Sequence, residues 1–173
     1  METLVKPDLS AIKIRNVLMP GDLGYIAHVH ADLYSKEYGY GLNFEAYVLD
    51  GLNDFAHEYD SLKDKVWICE HEDKIIGFLV AQHRDLAIQL RYFLFQPAYR
   101  GAGLGTKLMK EFISFMKVNK CTQAYLWTTE EQQAAIGLYM KFGFRLTEQK
   151  LSNAFDKKLV ERRYELDLSK DQL

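Results

Sequence analysis

Tyr99-Arg100-Gly101-Ala102-Gly103-Leu104-Gly105-Thr106 follows the apolar run 87–95 and a strand-ending Pro97. It opens onto Leu104, Leu108, Met109, Phe112, Ile113 and Met116, apolar residues at helical spacing. The order is strand, glycine loop, helix. Glycine lets the backbone take positive φ and approach a ligand closely. The first N–H groups of the helix that follows lack partners, and the dipole is positive at that end. Together these features predict a local anion site, with Arg100 and Lys107 adding positive charge. A Gly-x-x-x-x-Gly-Lys-Ser/Thr loop is excluded, because Arg100 stands where its first glycine belongs and Thr106-Lys107 follows Gly105 in the wrong order. A dinucleotide fingerprint is excluded as well. Thr106 takes the place of its last glycine, and the region around Cys121 is not acidic. On this stretch alone, a tight turn that needs glycine only for packing remains open.

Working outward, residues 124–128 read as a buried strand and 130–142 as a helix closed by Gly143. Residues 144–151 and 159–168 read as two more strands. Upstream, 65–70 and 75–83 are β-branched and aromatic runs joined by the polar His71-Glu72-Asp73-Lys74, a hairpin connection. A first strand is predicted over 11–17. A helix capped by Asp22 follows to Tyr38, and a second helix capped by Asn43 carries Ala46, Tyr47, Leu49, Leu52 and Phe55. Consecutive strands with short loops pair antiparallel, whereas the strand, helix, strand passage across the glycine loop demands a parallel crossover. The fold class is therefore α/β, with a mixed, mostly antiparallel sheet of about seven strands and helices on both faces.

The chain has 173 residues, 48% hydrophobic, which suffices for one sizeable core and makes residues 1–173 a single expected domain. Its 22 Lys and Arg against 24 Asp and Glu give a net charge of −2, so no global field gathers nucleic acid or anionic membrane. The anion site must be local. Cys69 and Cys121 form neither a disulfide framework nor a zinc pattern, and they read as small hydrophobes in a reducing compartment. His28 and His30, two apart on a helix, face different sides, so no metal is expected. With no signal segment and no apolar window of transmembrane length, a cytoplasmic protein is expected.

A second motif stands downstream of the loop, Ala134-Ala135-Ile136-Gly137-Leu138-Tyr139-Met140-Lys141-Phe142-Gly143-Phe144. With Arg100-Gly101-x-Gly103-x-Gly105, it resembles the paired motifs of the GNAT family, the acetyl-CoA-dependent N-acetyltransferases. The element order matches that family over most of the chain. More narrowly, the region from Glu37 to Glu45 and the ending Asn153 to Leu168 resemble acetyltransferase domains fused to MarR-type regulators, with the present chain the enzyme domain standing alone.

The resemblance implies a set of roles. Main-chain groups of Phe93, Leu94 and Phe95 would bind the pantetheine arm of acetyl-CoA like an added strand, and backbone N–H near Leu94 or Phe95 would meet the developing oxyanion. Gly101, Ala102, Gly103, Leu104, Gly105 and Thr106 would give N–H groups to the pyrophosphate, with Arg100 nearby. Gln132, where relatives commonly carry Asn, is a further cofactor contact. Tyr139 matches the tyrosine placed beside the thioester sulfur, where a neutral phenol can protonate the leaving thiolate. The same tyrosine, beside Ile136, Leu138 and Phe142, also suits a core-facing helix. Relatives often take their base from a Glu on the strand before the loop, but 86–95 holds only Gln89 and Arg91 as polar long side chains. Glu37 and Glu45 are the substitutes, on helices that line the acceptor side, with Tyr38 and Tyr40 shaping the same wall. The expected function is direct acetyl transfer in a ternary complex, to a small-molecule or peptide amine. Relatives commonly form homodimers, and the final strands often contribute. The alternative is a non-catalytic acyl-CoA sensor or partner-binding module, which the missing strand carboxylate favours and Tyr139 opposes.

Overall fold

The computed structural model describes residues 8–169. Strands β1 (Lys13–Arg15), β2 (Lys65–His71), β3 (Lys74–Arg84), β4 (Ala87–Phe95), β5 (Gln123–Thr129), β6 (Arg145–Ser152) and β7 (Leu159–Asp167) form one sheet. Its order is β1-β2-β3-β4-β5-β7-β6. Helices α1 (Asp22–Tyr38) and α2 (Leu42–Glu58) precede β2. Helix α3 (Leu104–Val118) joins β4 to β5, and α4 (Gln133–Lys141) joins β5 to β6. The crossover through α3 makes β4 and β5 parallel, and the other neighbouring pairs are antiparallel.

Both faces of the central strands are covered, which is why β2 and β3 read as continuous apolar runs rather than alternating ones. On one face Leu108, Met109, Phe112 and Met116 of α3 pack on Trp67, Leu79, Leu90 and Leu126. On the other, Ile26 and Val29 of α1 and Val48, Leu52 and Phe55 of α2 pack on Val66, Ile68, Phe78 and Val80. Each large side chain buried in this way stabilises the fold by about 1.5–3 kcal/mol.

Two irregularities in β4 position the site. The register with β3 shifts between Phe78 and Val80, opposite Tyr92, which has φ +49°. Past Gln89 no residue of β4 is registered with β5. The two parallel strands therefore part, and β4's remaining edge faces a gap instead of a neighbour.

Several local expectations are corrected. The first strand covers three residues rather than 11–17, because Leu9–Ala11 form a 3₁₀ turn. Asp22 is the first helical residue, not the cap. Gly21 caps α1 in a left-handed conformation, while the Asp22 carboxylate accepts from Met19 N (2.7 Å) and pairs with Arg15 at 2.7 Å. Asn43 likewise lies inside α2. The carboxylate of Asp156, from the β6–β7 connection, accepts from Asn43 N (2.9 Å) and does the capping from outside the helix. The β2–β3 hairpin turns on Glu72 and Asp73 alone, both at positive φ as a two-residue primed turn requires. The last helix starts at Gln133, three residues later than 130.

Candidate active site

Two cavities meet beneath the gap between β4 and β5. The glycine-loop cleft, of about 230 Å³, lies between the end of β4, the start of α3 and one side of α4. Gly101 and Gly103 have φ of +72° and +86°, a region closed to most residues. They turn the chain so that α3 begins with no side-chain cap. The N–H groups of its first turn and its positive dipole end face the same side of the loop, the arrangement an anion would need. His71 Nδ1 lies 2.8 Å from the Tyr99 hydroxyl and ties the loop to β2. Arg100 is not an uncompensated cation. Its guanidinium pairs with Glu37 at 2.8 Å, and its Nε donates to Phe95 O at 2.9 Å.

The second cavity, of about 110 Å³, is aromatic and lies on the α1/α2 face of the sheet. Four residues line both cavities: Tyr34, Phe93, Gln132 and Tyr139. The Tyr34 hydroxyl donates to Gln132 Oε1 at 3.3 Å, fixing the amide that begins α4. Tyr139 is buried, and desolvation pushes its phenol well above the ordinary tyrosine range, so it stays protonated. Burial also holds His30 neutral, with its pKa lowered to about 4, and its Nδ1 lies 2.9 Å from Ile26 O. The Tyr40 hydroxyl, 2.6 Å from Thr129 Oγ1, closes the α1 side.

The sequence candidates divide between these spaces. Phe93, Leu94, Phe95, Arg100, Gly101, Leu104, Gly105, Gln132 and Tyr139 line the glycine-loop cleft, and Ala102, Gly103 and Thr106 belong to the same turn and helix start. Glu37 lines that cleft too, on the side of Arg100, and is absent from the lining of the aromatic cavity. Glu45 lies in the first turn of α2, outside the residues that line either space. Glu161 and Arg91 both line the aromatic cavity, and no sequence motif marks either as a site residue. The signal for Arg91 was its place on the strand before the loop. Glu161 sits in a charged run that looks like solvated surface. Burial pushes the Cys69 thiol up to about 12, so it supplies no nucleophile. Among the described residues, none of the helices is long and apolar enough to cross a membrane.

The profile described as the Acetyltransferase (GNAT) family matches residues 28–144. The N-acetylaspartate synthetase of Danio rerio is 31% identical over 81 residues, 46% of this chain and 29% of that protein. The spermine/spermidine N(1)-acetyltransferase of Bacillus subtilis is 30% identical over 84 residues, 43% of this chain and 55% of that protein. The chain thus spans well under two thirds of either relative. A crystal structure of a GNAT-family acetyltransferase from Staphylococcus aureus Mu50 superposes with a TM-score of 0.74 at 21% identity, covering 91% of this chain and 99% of that one.

Proposed function

The chain belongs to the GNAT acetyltransferase family, and from that premise we propose that it is an N-acetyltransferase, its single domain carrying acetyl-CoA in the glycine-loop cleft and a small amine in the aromatic cavity. The observation that supports this reading is the meeting of the two spaces at Tyr139, Phe93 and Gln132. A donor bound along β4 and an acceptor bound against α1 and α2 would touch only there.

The residues fit the cofactor. Its pyrophosphate would lie on the N–H groups from Gly101 to Thr106, and its pantetheine arm along the unregistered edge of Phe93 and Leu94. When bound, it supplies an acetyl thioester. Backbone N–H at Leu94 or Phe95 would stabilise negative charge on the thioester oxygen. Tyr139 would give its proton to the departing sulfur. Burial weakens the phenol as an acid, but it raises the basicity of an enclosed thiolate as well, so the transfer is not put out of reach. On the acceptor side Glu161 takes the role for which Glu37 and Glu45 were the sequence candidates. It is the carboxylate in the lining of the aromatic cavity, with a side chain 18% exposed. It would hold the ammonium and receive its proton, directly or through water.

The test is release of free CoA from acetyl-CoA with a panel of primary amines. Amine-dependent CoA release with a matching acetylated product supports the enzyme. Tight acetyl-CoA binding with no release under any amine would establish the sensor alternative instead.

A further inference from the structure

We infer that the acceptor is a small amine that also bears a carboxylate, a molecule of the amino-acid class, and that Arg91 holds that carboxylate. This rests on the acetyltransferase reading and names the acceptor for the same cavity.

Arg91 is half-buried in the cavity wall, where its Nη1 donates to the neutral Gln82 Oε1 at 2.8 Å and its guanidinium lies 4.8 Å from the centre of the Tyr92 ring. Arg15, Arg84, Arg100, Arg162 and Arg163 each face a carboxylate of the chain. Arg91 has no such ion pair among the described residues. A guanidinium drawn partly out of water without a counter-charge is a natural seat for an anionic oxygen, which it binds through two parallel N–H donors. Beside it the Tyr92 hydroxyl is enclosed and has no hydrogen-bond partner among the described residues.

The backbone arranges this pair. Ordinary strand alternation would send Arg91 and Tyr92 to opposite faces. The bulge, with Tyr92 at φ +49°, lets both line the same cavity. Gly51 in α2 completes the seat, since a Cβ there would collide with Arg91 Nη2 and the Tyr92 hydroxyl. Glycine is disfavoured inside a helix, and here its bare backbone gives the guanidinium its room.

Charge and size select the molecule. The cavity holds a guanidinium on β4 and one carboxylate on β7, Glu161, which already shares its charge with Lys150 at 3.5 Å. That lining suits a zwitterion, with ammonium towards Glu161 and carboxylate towards Arg91. A polyamine would bring several positive charges against Arg91 and find one partly neutralised acid. The volume of about 110 Å³ is smaller than the cavity of about 150 Å³ that takes up benzene in an engineered protein. The enclosed part is the size of a small molecule.

The experiment compares free amino acids, the matching amino-acid amides and spermidine as acceptors at saturating acetyl-CoA, in wild type and Arg91→Ala. The free acids are expected to have the lowest KM, and Arg91→Ala to raise their KM by about 10- to 100-fold more than that of the amides. Equal use of acids and amides, preference for spermidine, or an equal effect of Arg91→Ala on both series overturns the inference while leaving the acetyltransferase intact. Calorimetry with N-acetylated amino acids and their amides gives a readout free of turnover. Carboxylate-dependent binding that disappears in a folded Arg91→Ala supports the seat even if no amine releases CoA, and binding indifferent to the carboxylate overturns it.

Discussion

Replacing Gly51 by Ala separates helix stability from acceptor binding. In a helix interior Ala is favoured over Gly by about 1 kcal/mol, so propensity alone makes Gly51→Ala a stabilising change. The structure opposes this, because the new methyl carbon would occupy the space of the Arg91 Nη2 and Tyr92 hydroxyl. Arg91 is the flexible partner and swings aside, and the Tyr92 ring tilts to clear its hydroxyl. Arg91 gives up its 2.8 Å bond to Gln82, worth about 1 kcal/mol net, and its position 4.8 Å over Tyr92, worth about 0.5–1 kcal/mol. The losses exceed the gain by about 0.5–1 kcal/mol. Urea unfolding followed by tryptophan fluorescence should therefore show a stability within about 1 kcal/mol of wild type, while steady-state assays show acceptor KM raised about tenfold or more and acetyl-CoA KM unchanged. A folded Gly51→Ala protein with normal acceptor KM would refute the claim that Gly51 makes room for a working Arg91. A loss of 3 kcal/mol or more would show that the space is packing that cannot yield.

Tyr139→Phe is expected to lower kcat by about 10²-fold with little effect on either KM, since it removes the proton donor and keeps the ring among its neighbours; near-normal turnover would leave Tyr139 a core residue. His30 contributes a pH dependence. The unfolded chain takes up its proton below its ordinary value of 6.5, and the folded one only near 4, so stability falls as pH drops through that window. At 1.36 kcal/mol per unit the loss approaches about 3 kcal/mol. His30→Gln should flatten the fall of urea midpoints between pH 6.5 and 4, and parallel curves for the two proteins would contradict the assignment.

The glycine loop, the strand before it and the helix after it are legible because each depends on near neighbours: Gly for φ, Pro97 to end the strand, apolar residues at helical spacing. The apolar runs of β2 and β3 are legible for the same reason. Helix entry is not legible where the solution is not local. Asn43 and Asp22 have cap-forming side chains, yet α1 starts from a left-handed Gly21 and α2 is capped by Asp156, 113 residues further on than Asn43. The acceptor side is still less local. Arg91 enters the cavity beside Tyr92 through a bulge that no residue announces. Glu161 lines it because β7 inserts between β5 and β6 and sets Glu161 against Thr129. Neither fact is written near the residue it concerns.

Glu37 provides the sharpest contrast between sequence and structure as guides to chemistry. Taken as the base, it should be indispensable, and Glu37→Gln should cost about 10²- to 10⁴-fold in kcat. The structure gives it a different partner. Its carboxylate lies 2.8 Å from the Arg100 guanidinium, in the cleft that the glycine loop borders. There it offsets positive charge beside the glycine loop and steadies Arg100, whose Nε already donates to Phe95 O. A neutral amide at this position keeps a hydrogen-bonding oxygen and removes the counter-charge. More positive potential then reaches the cleft, so acetyl-CoA KM should fall by a few-fold in low salt, with the difference shrinking as ionic strength rises. Acceptor KM and kcat should stay near wild type. Measuring both KM values and kcat for Glu37→Gln at two salt concentrations decides the matter: a collapse of kcat with unchanged acetyl-CoA KM would restore Glu37 as the base and remove Glu161 from that role.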